Sequence, residues 1–309
     1  MAELRPIIHL FESAGRQPPA IPDEAHLVAY GHEIASLRSQ PGLRLQAEPA
    51  GSQLQVEIVV ERGVQLERPV HLCMGLFERH GTQNIRLKLT LEPGAQATLW
   101  SHCLFDTPLS ARHEMDGKIL IMAGAALHYQ EAHFHGSSGD ILVRPRARIK
   151  LEAGARLHSD FSLLQGRVGR LEVDYLVDVG EAAVAELLSR VYGHGKDVIL
   201  LRERLLLSGA GARGLLKTRV AVRDDASASV LGAMEGLAAG ARGHVDCMEV
   251  VRDRAVADAV PEVRVTHPQA KVTHEAAIGS VDARQLETLM ARGLAPDEAV
   301  DLIVRGMLA

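Results

Sequence analysis

Leu91-Glu92-Pro93-Gly94-Ala95, Ile121-Met122-Ala123-Gly124-Ala125 and Leu151-Glu152-Ala153-Gly154-Ala155 are three copies of one short motif. An aliphatic residue leads, two variable positions follow, and a glycine and an alanine close each copy. The glycines stand 30 residues apart, and Gly63 precedes the first by 31. Val179-Gly180-Glu181-Ala182 and Ser208-Gly209-Ala210-Gly211 continue the series less regularly. Glycine suits a corner because it can take positive φ, and small neighbours let successive layers approach. Between corners, apolar residues alternate with polar ones. Leu54, Val56, Ile58 and Val60 do so, then Ile85, Leu87, Leu89 and Leu91, then Leu171, Val173, Tyr175, Val177 and Val179. A period of two marks strands with one buried face. Strands closed by corners at a fixed interval of this size point to a stacked β architecture in which each coil covers its neighbour. A β-sandwich with similar hairpins is the alternative, and the equal intervals favour the stack.

The flanks read differently. Residues 1–45 are mixed, and Gln17-Pro18-Pro19-Ala20-Ile21-Pro22 is expected to be extended, because each proline drives its predecessor out of the helical region. Near residue 282 the period changes. Asp282 and Gln285 form a capping-box pattern, Leu286, Leu289 and Met290 follow at helical spacing, and Gly293 stops the helix. A second helix is predicted from Pro296, with Asp297 and Glu298 in its first turn, Ala299, Leu302 and Ile303 on its apolar face, and an end at Gly306. The expected organisation is an N-terminal segment 1–45, a β body 46–280 and a helical hairpin 281–309. The hairpin is too short to hold a core and needs the β body or a partner to cover it.

Composition narrows the function. Lys plus Arg number 34 against 39 Asp plus Glu, a formal charge of −5, so a broad phosphate-binding surface for nucleic acid is not expected. No apolar run approaches the roughly 18 residues of a membrane helix. The start MAELRPIIHL does not read as a signal peptide. Three cysteines without a CxxC pair suit a reducing cytoplasm. No phosphate loop, no G-x-S-x-G and no H-E-x-x-H is present, which disfavours a nucleotide hydrolase, a serine hydrolase and a zincin. Asp174 and Asp178 are available to a β-helical carbohydrate enzyme but have no distinguishing context.

Soft ligands carry the stronger signal. Cys73, Cys103 and His133 are spaced by 30 residues, and a coil of that period would stack them in a column. Cys247 and Glu275 are 28 apart, about one coil, and would meet likewise. A thiolate with a carboxylate and an imidazole is an iron or zinc donor set. The alternative for each cysteine is plain packing. His133 and His135 share a strand face, and a partly exposed strand histidine is the alternative for each.

Ala270-Lys271-Val272-Thr273-His274-Glu275-Ala276-Ala277-Ile278-Gly279, then Gln285-Leu286, Ala291-Arg292-Gly293-Leu294 and Leu302-Ile303-Val304-Arg305-Gly306, resemble the C-terminal signature of the SufB/SufD family of the SUF iron–sulfur cluster assembly system. The resemblance implies a right-handed parallel β-helix followed by a helical region on which a SufC-like ATPase docks. It implies a scaffold, not an enzyme, that carries a transient iron–sulfur cluster, with a sulfur donor and apo client proteins as further partners. SufB carries the assembly residues, and SufD is a structural partner that holds no cluster; a SufD-like role is the alternative. Cys247 stands where SufB has its cluster-associated cysteine, and Glu275 where SufB has a glutamate ligand and SufD a glycine. Cys103 resembles the SufB cysteine that first accepts sulfur, and His133 falls near the sulfur route. The long N-terminal extension of the larger SufB proteins is mostly absent. That pattern resembles short forms that act as homodimers without SufD, with Cys247, Glu275 and His274 of two copies facing each other. Cys73 has no counterpart in the family pattern.

Overall fold

The period-two segments become strands that run parallel and alternate between two facing sheets. The structure is a computed structural model that describes residues 24–76, 80–105 and 110–308, so Gln17–Pro22 lies outside the described residues. One sheet holds β1 (His26–Tyr30), β2 (Glu33–Arg38), β5 (Val70–Gly75), β7 (Gln96–Phe105), β9 (Ala126–His135), β11 (Arg156–Gln165), β13 (Val184–Gly193), β15 (Arg213–Val222), β17 (Arg242–Val251) and β19 (Lys271–Gly279). The other holds β3 (Leu43–Ala50), β4 (Gln53–Val60), β6 (His80–Leu91), β8 (Ser110–Ile121), β10 (Ile141–Leu151), β12 (Gly169–Val179), β14 (Val198–Leu207), β16 (Ser227–Gly236) and β18 (Val256–Val265). The chain crosses to the opposite sheet at each corner and returns one layer further on, which makes a parallel β-solenoid of about eight turns. Parallel pairing of β7 with β9, and of each later strand with the next in its sheet, excludes the hairpins of a sandwich. Among the described residues, antiparallel strand pairs are confined to β1–β2 and β3–β4, at the starting end.

The repeated motif forms one line of corners. Gly94, Gly124 and Gly154 have φ of 73°, 66° and 66°. Gly94 N donates to Ala123 O at 3.0 Å and Gly124 N to Ala153 O at 2.9 Å, so each corner is hydrogen-bonded to the one above. Ala182 occupies the equivalent place with φ 51°, and its N–H donates to Ala210 O at 2.8 Å. An L side chain in that left-handed region costs about 1–2 kcal/mol, part of which glycine returns through its freer unfolded chain. Ala182→Gly is therefore expected to stabilise the protein by about 0.5–1 kcal/mol. A urea midpoint that fails to rise, at unchanged slope, would contradict this.

The core lies between the sheets, filled by inward residues such as Leu99, Ile121, Leu151 and Phe161, all essentially fully buried. Each contributes about 1.5–3 kcal/mol by leaving water. Outward positions are charged and paired. Arg144 reaches Glu172 at 2.6 Å and Glu114 at 3.4 Å. Asp174 takes Arg204 at 3.3 Å and Asp178 accepts from Ser208, so these two carboxylates serve the surface.

The hairpin folds back on the β body. Asp282 Oδ1 accepts from Gln285 N at 2.8 Å, which caps the helix Ala283–Ala291 as the sequence indicated. The closing helix, Pro296–Leu308, runs through Gly306 instead of stopping there. It buries Ala299, and packs Val300, Val304 and Leu308 against Tyr192 and Ala221. Leu302, expected on the buried face, is exposed. Tyr192 donates to Asp301 at 2.8 Å, and Arg252 pairs with Asp297 at 2.6 Å. These polar contacts fix which stripe turns inward.

Candidate functional site

Strand register draws two inward lines along the first sheet. Ser101, Glu131, Phe161, Ser189, Thr218 and Cys247 are successive partners on one line. Cys103, His133, Leu163, Val191, Val220 and Glu249 form the line two residues on. All twelve are buried. Aliphatic residues would fill this space without penalty, whereas a buried carboxylate or imidazole costs free energy unless it is paired. Phe161 interrupts the first line, and Leu163, Val191 and Val220 interrupt the second. Tyr175 and Glu203, register partners on β12 and β14, bridge the gap from the opposite sheet. Tyr175 OH donates to Glu131 Oε2 at 3.1 Å, and Ser189 Oγ donates to Glu203 Oε1 at 2.7 Å. A continuous polar path thus runs inside the solenoid from Cys103 to Cys247.

At the first end, Cys103 and His133 are direct register partners, as the period predicted. Glu131, which the sequence reading passed over, joins them. One ligand atom from each of Cys103, Glu131 and His133 lies within 4.8 Å of the others. Glu131 accepts from Tyr129 OH at 3.0 Å, from Tyr175 OH and from His133 Nε2 at 2.9 Å. His113 stands on the other side of the thiol, its Nε2 3.5 Å from Cys103 Sγ. Gln83 Nε2 donates to Gly31 O at 2.6 Å, which turns Gln83 Oε1 toward His113 Nδ1 at 2.9 Å. His113 then carries its proton on Nδ1 and offers a lone pair to the Cys103 thiol. Burial holds the His113 ring well below its usual basicity, with His133 adding to the effect. Burial, and then Glu131, push the Cys103 thiol well up, so its resting form is the neutral thiol.

Cys73 does not join the column. Between β5 and β7 the register steps by 29 residues, so its partner is His102. Cys73 is thus one residue out of step with Cys103, whose partner is Met74, and one residue along a strand turns a side chain to the other face. Cys73 packs with Val28, Leu104 and Phe134 instead.

The same rule governs the far end. Cys247 pairs with Ala276, and Glu275 pairs with Asp246. Within one chain, Cys247 therefore faces inward while Glu275 lies exposed on the opposite face of its strand. His274 shares the inward face as the partner of Val245. The carboxylate on the face of Cys247 is Glu249, two residues on, which the sequence reading also missed. Its two oxygens are buried without a hydrogen-bond partner among the described residues, and burial raises its pKa to about 7. Burial, and then Glu249, push the Cys247 thiol up to about 12. Shared strand phase is the signal that would have found both acids: Glu131 is in phase with His133, and Glu249 with Cys247.

The solenoid is uncovered here. β18 and β19 are the terminal strands of their sheets, and Val260, Val263, Val265 and Ile278 are exposed.

The family model described as the SUF system FeS cluster assembly SufBD core domain matches residues 76–307, a span that holds Cys103 and Cys247 but not Cys73. The chain belongs to the SufBD family. An iron–sulfur cluster assembly SufBD family protein of Methanocaldococcus jannaschii is 34% identical over 308 residues, covering 99% of this chain and 98% of that protein. One from Pyrococcus horikoshii is 33% identical over 284 residues, covering 92% of this chain and 86% of that protein. A family protein of Archaeoglobus fulgidus is 28% identical over 249 residues. Membership of the SufBD family ties the chain to iron–sulfur cluster assembly. Among the described residues, no helix is long and apolar enough to cross a membrane.

Proposed function

We propose that this SufBD protein is a scaffold on which an iron–sulfur cluster is built, with sulfur entering at Cys103 and the cluster forming at the open end around Cys247. The observation that carries the reading is the buried polar path between the two thiols. Cys103 loses its proton toward His113 and attacks the outer sulfur of a donor persulfide. A new sulfur–sulfur bond forms on Cys103, and the donor cysteine leaves as thiolate. His133, Glu131 and the hydroxyls beyond give sulfur polar surroundings through an otherwise aliphatic core. Cys247 supplies the soft ligand and Glu249 a labile hard one. His274 shares their face.

Partners follow from the surfaces. Unpaired edges at β18 and β19, with apolar residues beside them, need covering. We take a second copy to cover them, which brings Glu275 and His274 of each protomer to the shared site. Met290 and Leu302 remain exposed on the hairpin, beside a groove lined by Arg284, Gln285, Thr288, Leu289 and Ile303. A separate SufC-like ATPase docks there and supplies ATP hydrolysis, while this chain turns over no substrate of its own. A sulfur donor and apo client proteins complete the set, in the cytoplasm.

The test is anaerobic reconstitution of the purified chain with ferrous iron and sulfide. The expected result is the charge-transfer absorption of an iron–sulfur cluster, with bound iron and acid-labile sulfide, on a dimer. Protein that takes up neither, alone or with its ATPase, would be a SufD-like structural partner.

A further inference from the structure

The geometry points to a second centre: Cys103, Glu131 and His133 form a mononuclear site for a divalent cation of borderline softness, Fe2+ or Zn2+, inside the solenoid and apart from Cys247. This inference stands without the scaffold reading, because it rests on the donor set alone.

Sulfur, oxygen and imidazole nitrogen lie within 4.8 Å of one another on adjacent strands β7 and β9. Three such protein ligands with a fourth position open is a recurring arrangement for zinc and ferrous iron. Charge favours the same ion. One thiolate and one carboxylate neutralise a dication, so the loaded site adds no net charge to a low-dielectric interior. The site is also held in shape. Tyr129 and Tyr175 both donate to Glu131 Oε2, which fixes the carboxylate and leaves Oε1 facing His133. Outer hydrogen bonds of this kind orient metal ligands.

With His133 Nε2–H donating to Glu131, the lone pair sits on Nδ1, which is buried and has no hydrogen-bond partner among the described residues. A bound ion gives the imidazole lone pair a partner, at whichever nitrogen faces it. On binding, the Cys103 thiol gives up one proton to solvent, and His113 Nε2, 3.5 Å from the sulfur, is placed to relay it. The thiol that burial keeps protonated thus becomes a thiolate when a cation arrives.

Cobalt(II) is the probe. The full chain is stripped with chelator and titrated anaerobically with Co2+. The near-ultraviolet thiolate-to-cobalt band and the visible bands of four-coordinate cobalt are followed, with circular dichroism as the check on folding. The unmodified chain should show both sets of bands. In the Cys247→Ser background, Cys103→Ala should lose the thiolate band. Tyr175→Phe should keep it but bind cobalt about tenfold more weakly. The double variant Cys73→Ala, Cys247→Ser leaves Cys103 as the sole thiol, since the chain has three cysteines. Survival of the thiolate band there assigns it to Cys103 even if Cys103→Ala does not fold. No thiolate band in the unmodified chain, or its disappearance in the double variant, would overturn the proposal.

Discussion

Cys247→Ser is expected to lose at least nine-tenths of the iron and acid-labile sulfide that the unmodified chain retains after anaerobic reconstitution, while folding is preserved. Serine matches cysteine closely in shape, and Thr218 lies beside it in register to share a hydrogen bond. The interior is therefore little disturbed. The chemistry changes much more. Burial and Glu249 hold the Cys247 thiol near pKa 12, and only a strongly bound soft metal can draw its proton off. A serine hydroxyl has no comparable affinity for iron. The acids then separate two geometries. Glu249 shares the face of Cys247 in its own chain, whereas Glu275 is on the outer face and can serve only where two copies meet. Glu249→Gln should lower cluster content in monomer and dimer alike, and Glu275→Gln only in the dimer. Iron, sulfide and mass are measured on each fraction. Undiminished cluster in Cys247→Ser would remove that residue from the site.

How the sequence announced this arrangement, and where it fell short, comes down to register. The corner motif at 94, 124 and 154 was enough to fix a stacked fold, because a corner needs small residues whatever the strands do. The pairing of Cys103 with His133 was equally legible, since the step from β7 to β9 is 30, the same as their spacing. Cys73, and Glu275 within one chain, miss their expected partners for one shared reason. The register steps by 29 at β5–β7 and at β17–β19, and a single residue reverses which face a side chain takes. Spacing tells that two residues lie on neighbouring coils; the local step, set by each corner, decides whether they meet. Glu131 and Glu249 were hidden for a different reason. A carboxylate in an alternating segment reads as an outward residue, and only its phase against a neighbouring cysteine or histidine betrays it. The closing helix shows the same limit at helical period. Its inward stripe was decided by Tyr192 and Arg252, residues far away in sequence.

Glu203→Gln is expected to make the protein more stable at pH 8 than the unmodified chain, by about 3 kcal/mol, with the gap closing toward pH 4.5. Glu203 is buried midway along the polar path, and burial raises its pKa to about 7, against hydrogen bonds from Ser189 and Thr218 that hold it down. Between its ordinary value of 4.5 and 7, the folded chain keeps a proton that the unfolded chain has released. Stability must then fall as pH rises through that window. Below it both states are protonated and the residue contributes nothing; above it the folded state carries a buried charge and the whole cost is present. Glutamine keeps a carbonyl for the Ser189 hydroxyl and has no charge to bury, so the penalty disappears. Urea unfolding of both proteins at pH 5 and pH 8 measures the difference directly, and other titrating groups cancel in the comparison. Parallel stability profiles would mean that Glu203 is not buried as a carboxyl of raised pKa. A carboxyl retained at such a cost, where leucine would pack, is hard to account for by folding alone. Its place between the two thiols gives it a use, since it can release and regain a proton near neutral pH at the midpoint of the route that sulfur is proposed to take.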